Sequence, residues 1–306
     1  MDRNHYRISL AGIDAWKYCR WIGLLIFSQL IASCTEKIDI PLQDSYTRLV
    51  VEGAMTTGSG PQIIKITTSS SYYLNQPSPA VRGAEVSISD GIDSFPLTEK
   101  APGMYQTAPD VKGVAGNTYT LNIRLAEAIG GHTDYSAADR LSRINQMDSI
   151  GLLFHPDWGK FGVWEVKCYV LDPPTVDFYR FMLYRNQTLI TDSINKWFAV
   201  DDKLFNGNYT NGATVAYLNQ GNPQEGLRTG DTIWLEADKI SKDYCSFIWQ
   251  VQEAVRGTNP LFSGPPANVR GNISGGGVGY FSAYDLTRSY AITPVFPGNG
   301  KKSGIK

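Results

Sequence analysis

Between Thr47 and Leu141 apolar and polar residues alternate in short runs broken by glycine and proline. Arg48-Leu49-Val50-Val51-Glu52-Gly53 opens the series, and Gln62 to Thr68 follows a Gly-Ser-Gly-Pro turn at 58–61. In Val81 to Ile88, one face takes Ala84, Val86 and Ile88 while the other takes Glu85 and Ser87; Asn117 to Leu125 groups Tyr119, Leu121, Ile123 and Leu125. A period of two sends successive side chains to opposite faces of a strand, so each run predicts a half-buried strand. Ser89-Asp90-Gly91 and Pro102-Gly103 are turn signals. Some seven short strands in this space predict an immunoglobulin-like β-sandwich over 47–141.

A second β-rich domain is expected over 142–297, with longer and more aromatic strands. Val163 to Leu171 and Phe178 to Tyr184 are the clearest, separated by Pro173-Pro174, and Thr232 to Ala237 is another. The period then changes to 3.6. Tyr244, Phe247, Ile248, Val251 and Val255 share one helical face, Ser241 suits an N-cap, Asp243 the first turn and Gly257 a C′ position, which predicts an amphipathic helix over about 242–256. A Gly/Pro-rich passage from Asn259 to Gly279 precedes a final strand region, Val278 to Tyr284, and residues 298–306 read as a frayed tail. The fold class expected is therefore mainly β, a sandwich followed by a β-rich domain with one helix.

The first 33 residues follow a different logic. Arg3, Arg7, Lys17 and Arg20 precede the apolar run Trp21 to Ile31, which is too short to span a bilayer but has the length of a signal-peptide core. Ile31-Ala32-Ser33-Cys34 then reads as a bacterial lipobox: small side chains fit the peptidase cleft, and the Cys34 thiol takes the lipid before cleavage. Several acyl chains, palmitate among them, on an N-terminal Cys give stable anchoring. Residues 34–46 read as a tether. Asp does not follow Cys34, which favours the outer membrane, and Glu36 and Asp39 weakly resemble an acidic signal for export to the cell surface.

Composition narrows the chemistry. A net charge of −1 offers no basic field for nucleic acid. Of four cysteines, Cys168 and Cys245 fall in the mature body; they can pair in an oxidising compartment or stay buried thiols, and their strand and helix contexts favour the second. Only three histidines exist, His5 in the leader and His132 and His155 in loop-like contexts, which argues against a His-rich metal site; no G-x-S-x-G elbow is present. Gly275-Gly276-Gly277-Val278-Gly279 lacks the Lys-Ser/Thr of a phosphate loop and reads as a tight backbone path. Asp148, Asp157, Asp172, Asp177, Asp201 and Asp202 supply carboxylates for a glycosidase pair that spacing alone cannot assemble, and Asp201-Asp202 reads as a solvated turn or weak cation site. Neither catalytic residues, nor a metal, nor a cofactor is expected. Asp148-Ser149-Ile150, Asp192-Ser193-Ile194 and Asp231-Thr232-Ile233 resemble an O-glycosylation motif of exported proteins, making Ser149, Ser193 and Thr232 candidate acceptors; polar strand starts after turns explain them as well.

Several blocks together carry a resemblance. They are Leu49-Val50-Val51-Glu52-Gly53 after the leader, Gly83 to Gly91, Pro102-Gly103-Met104-Tyr105 and Thr118-Tyr119-Thr120-Leu121. Asp148-Ser149-Ile150, Asn259-Pro260-Leu261-Phe262, Gly271 to Gly276 and Gly279 to Tyr284 complete the set. In order and spacing they resemble the Bacteroidota lipoprotein family catalogued as domain of unknown function 4249, over about 38–295. The resemblance implies a non-catalytic accessory of a TonB-dependent outer-membrane transporter, and carries over only Cys34, as the lipidation site. A stand-alone glycan- or peptide-binding module is the alternative, and a carboxylate hydrolase the least favoured reading.

Overall fold

Alternating burial organises the first half of the chain. In the computed structural model, which describes residues 47–70, 77–256 and 269–295, this half forms β1 (Leu49–Thr56), β2 (Ile63–Thr68), β3 (Glu85–Ser89), β4 (Ser94–Ala101), β5 (Met104–Gln106), β6 (Thr118–Ile129) and β7 (His132–Arg140). The second half adds β8 (Ser149–His155), β9 (Val163–Tyr169), β10 (Phe178–Arg185), β11 (Thr188–Leu189), β12 (Phe198–Asp201), β13 (Ala213–Asn219), β14 (Thr232–Ile240), helix α1 (Lys242–Arg256) and β15 (Val278–Ile292). The described chain is mainly β with one α-helix, as the two periodicities require. The leader, Cys34, the tether, Gly257, the block at 259–262 and the tail at 298–306 lie outside the described residues. Among the described residues no helix is long and apolar enough to cross a membrane, a statement that leaves strands aside.

One continuous sheet runs β11-β10-β14-β15-β1-β2-β5-β4-β3-β6-β7, with β12 also paired to β10. Residue parity decides its interior. Leu49, Val51 and Met55 of β1, Ile64 and Ile66 of β2, and Leu121 and Ile123 of β6 point into one core with Phe281 and Ala283 of β15. The sheet curls until β7 returns to β15: Ser274 N donates to Ser136 O (2.8 Å), and Ala283 N donates to the Asp139 carboxylate (3.0 Å). Asn272 bridges the same seam, donating from Nδ2 to Ala138 O (3.2 Å) and Phe281 O (2.7 Å) and accepting from Phe281 N (3.0 Å).

β15 is the longest strand among the described residues, running on to Ile292 where the sequence pattern marked only its first half. From Val278 to Tyr284 it pairs in parallel with β1; from Asp285 to Ile292 it pairs antiparallel with β14. The aromatic and β-branched pattern weakens after Tyr284, where the residues are half-buried or exposed. The run 275–279 does serve as a close backbone path. Gly275, Gly276 and Gly279 have positive φ, and a Cβ at Gly279 would lie 2.0 Å from the Val51 carbonyl oxygen.

In the second half a three-stranded sheet, β13-β9-β8, shares a core with β10 and β14. Trp164, Val166 and Cys168 of β9 meet Tyr179, Phe181 and Leu183 of β10 and Ile233, Leu235 and Ala237 of β14. The intervening residues, Arg180, Met182, Glu236 and Asp238, therefore occupy the opposite face, and all four are buried. Helix α1 packs nearby through Tyr244, Cys245 and Ile248, against Ile240, Ala199 and Tyr280. Ser241 caps it, accepting from Tyr244 N (3.3 Å). Its buried stripe is rotated from the one the apolar spacing predicts: Gln252 is buried and Val255 is 57% exposed. Gln252 Nε2 donates to Ile194 O (2.7 Å) and Trp197 O (2.8 Å), so a polar tether to the neighbouring turn replaces an apolar contact.

Candidate ligand site: an arginine-floored aromatic cleft

Parity along β10 places Arg180 in its buried stretch, beside Tyr179, Phe181 and Met182, where an unpaired charge would be costly. Its register partner on β14 is Asp238. Arg180 Nε and Nη2 donate to Asp238 Oδ2 at 2.8 and 2.7 Å, and Nη1 donates to Tyr244 OH (3.2 Å). The guanidinium also stacks near the Trp197 ring (4.7 Å to its centroid) and the Tyr284 ring (4.8 Å). Burial alone would lower its pKa, but Tyr284, Asp238 and Tyr244 more than offset this and hold it above the usual arginine value. Burial acts on Asp238 by raising its carboxyl, and Arg180 pulls it back.

Arg180 opens onto a cleft of about 750 Å³ between β1, β2 and β15 on one side and α1 with the 194–197 turn on the other. Trp197, Tyr244, Phe247, Tyr280 and Tyr284 line it, with Glu52, Lys65 and Asp192 among its polar residues. The rings hold one another: Tyr244 and Tyr280 are 4.7 Å apart between centroids, and Phe247 and Tyr280 5.2 Å. Trp197 is fixed by its indole N–H, donating to Thr191 O (3.1 Å), and from behind by Gln252. Among the described residues, three of the five guanidinium N–H groups have hydrogen-bond partners. Aromatic walls around a guanidinium already neutralised by Asp238 suit a ligand with flat or apolar faces.

A second hollow, about 380 Å³ and almost wholly apolar, lies between the two sheets of the second half, lined by Met147, Cys168, Phe181, Phe198, Val215 and others. Asp172 and Tyr179 stand at its edge, where Tyr179 OH donates to Asp172 Oδ1 (2.7 Å).

Of the six carboxylates the sequence offered for a pair, the fold gathers Asp172, Asp177 and Asp202, one oxygen from each within 4.8 Å of the others. Asp202 is fully buried rather than part of a solvated turn, because the turn after it folds back through Phe205 N and Asn206 N onto its carbonyl. The expectation of two solvated loop histidines holds for His132 in exposure alone; both sit in strands. His155 Nε2 bonds to Glu165 Oε2 (2.8 Å) and its ring stacks on Trp158 (3.8 Å). Cys168 and Cys245 are buried free thiols, each pushed up to about 12 chiefly by burial. Ser149 and Ser193 are exposed and Thr232 half-buried; Ser193 lines the cleft. Arg180 is not among the expected site residues, although a lone Arg inside Phe178 to Tyr184 is the signal the sequence carries for it. In the sequence, Tyr244, Tyr280 and Tyr284 read only as core or family positions.

A family model described as domain of unknown function (DUF4249) matches residues 35–289. No curated protein matches the chain.

Proposed function

The chain belongs to the family of the domain of unknown function DUF4249, and on that premise we propose that it is a lipid-anchored outer-membrane protein that captures a ligand for a TonB-dependent transporter. The observation that carries the capture role is the cleft over Arg180. Its rings are fixed before any ligand arrives, and preorganisation lowers the ordering cost of binding. The lipobox ending at Cys34 supports the anchor, with the described body following a short tether. A stand-alone glycan- or peptide-binding module would use the same cleft and differs only in its partner. A hydrolase is less well supported, since Asp177 is engaged by Lys239 and Thr175 and Asp202 by the Asp177 backbone N–H.

Two measurements test the proposal. Cys34→Ala is expected to abolish incorporation of labelled palmitate and to release the protein from the outer-membrane fraction; retention of both would sink the anchor. Affinity purification of the tagged full chain from detergent-solubilised outer membranes is expected to recover a TonB-dependent transporter in near-equal amount. Recovery of the chain alone, with binding to glycans or peptides intact, would replace the accessory role with the stand-alone one.

A further inference from the structure

Three carboxylates and one ammonium are packed where the loop before β10 meets the turn after β12. Asp172 is 3% exposed, Asp177 7% and Asp202 0%. Lys239 Nζ lies 2.7 Å from Asp177 Oδ2. Thr175 Oγ1 donates to that same oxygen (2.8 Å), and Tyr179 OH reaches it at 3.5 Å. Asp172 accepts from Tyr179 OH (2.7 Å) and from Gly207 N at 3.4 Å. Asp202 Oδ2 accepts from Asp177 N (2.8 Å), but its Oδ1, in a residue with no solvent exposure, has no hydrogen-bond partner. One lysine against three acids leaves the group two positive charges short, and a buried charge without a partner is strongly unfavourable. Lys203, the next cation along the chain, is engaged with Asp201 instead (2.6 Å).

We infer that Asp172, Asp177 and Asp202 together bind one divalent cation, Ca²⁺ in preference to Mg²⁺. The donor set is all oxygen, without His or Cys, which selects hard cations over zinc or copper. Dehydration then separates the two. Mg²⁺ gives up its waters reluctantly and is seldom held in an all-protein cage, whereas Ca²⁺ accepts carboxylates in a flexible shell, and the three acids, with an oxygen from each within 4.8 Å of the others, are all buried. The ion restores the charge balance and gives Asp202 Oδ1 a partner. It also joins the loop at 172–177 to the turn at 202–207, whose Leu204 and Phe205 wall the apolar hollow. Binding therefore orders one end of that hollow. The site is separate from the Arg180 cleft, so its failure leaves the capture role untouched.

The test is calorimetric titration of CaCl₂ into the full chain, purified in detergent and stripped with chelator, alongside thermal melts with and without the ion. One Ca²⁺ per chain is expected. At a hundredfold excess over Kd, Tm should rise by about 5–10 °C, and Mg²⁺ at equal concentration should give a much smaller rise. Asp202→Asn should abolish the Ca²⁺-dependent rise, whereas Asp201→Asn should retain it. Absence of binding heat together with an unchanged Tm in millimolar Ca²⁺ would overturn the inference and leave Lys239 and bound protons to balance the group. Equal rises with Asp202→Asn and the parent chain would overturn it too, by placing the ion elsewhere. The parent-chain titration decides the matter even if Asp202→Asn fails to fold.

Discussion

Gly279 shows how a single position sets a strand pairing. Its φ of +99° is open to glycine and strained for any other residue, and the Val51 carbonyl fills the space a Cβ would need. Gly279→Ala is therefore expected to destabilise the fold by about 2 kcal/mol or more, read from urea unfolding at constant m-value. A loss under about 0.5 kcal/mol would mean that β1 and β15 can separate locally at little cost. Arg180 poses a different question, because its pair with Asp238 is nearly removed from water. Arg180→Ala leaves Asp238 unpartnered and should cost about 3–5 kcal/mol. Arg180→Met combined with Asp238→Leu should recover most of that stability without restoring ligand capture. If the double variant is no more stable than Arg180→Ala, the pair is not what the single change disrupts. The glycine path was legible in the sequence because glycine has few other reasons to recur so densely. Arg180 was not, because its partner lies on another strand, 58 residues away, and spacing carries no such pairing.

At the scale of elements, Asp139 fastens three of them. On β7, it accepts from Ala283 N of β15 and from Ser241 Oγ (3.2 Å) at the start of α1. Burial raises its carboxyl to about 6, and nearby Asp243 adds to the rise. A carboxyl raised on folding holds its proton more tightly in the native state. Its contribution is fully present below about pH 4 and is lost as the pH climbs through about 6. Asp139→Asn should remove this slope, so the stability difference between parent and variant should change across pH 4–6 and be flat above it. Parallel pH curves would show that Asp139 titrates as an ordinary exposed acid. The helix beside it was legible nearly to the residue, since its period, N-cap and first-turn acid all agree. Its exact facing was not, because Gln252 is drawn inward by two backbone carbonyls that only the folded chain supplies. β13 escaped for the related reason that its partner, β9, is remote in sequence, and β12 because it is only four residues long.

For the molecule as a whole, β15 is the decisive element. The chain order suggests a sandwich first and a second domain after it, yet the strand that flanks β1 comes from the far end of the chain. Residues 278–284 complete the first core through Phe281 and Ala283, and residues 285–292 continue without a break as the neighbour of β14. No local pattern reveals such a link, since hydrophobic periodicity marks a strand without naming its partner. The consequence is mechanical. If either half unfolds, β15 loses one flank and cannot remain extended across both, so the halves should melt together. Calorimetry is expected to give a single transition with calorimetric and van't Hoff enthalpies in agreement. Two resolved transitions would mean that each half keeps its core while β15 frays at the junction of Tyr284 and Asp285. A chain ending at residue 277 removes both pairings at once, and should show neither the cooperative transition nor protected amides in β1 and β14. Protection surviving in β14 alone would assign the shared stability to the second half instead.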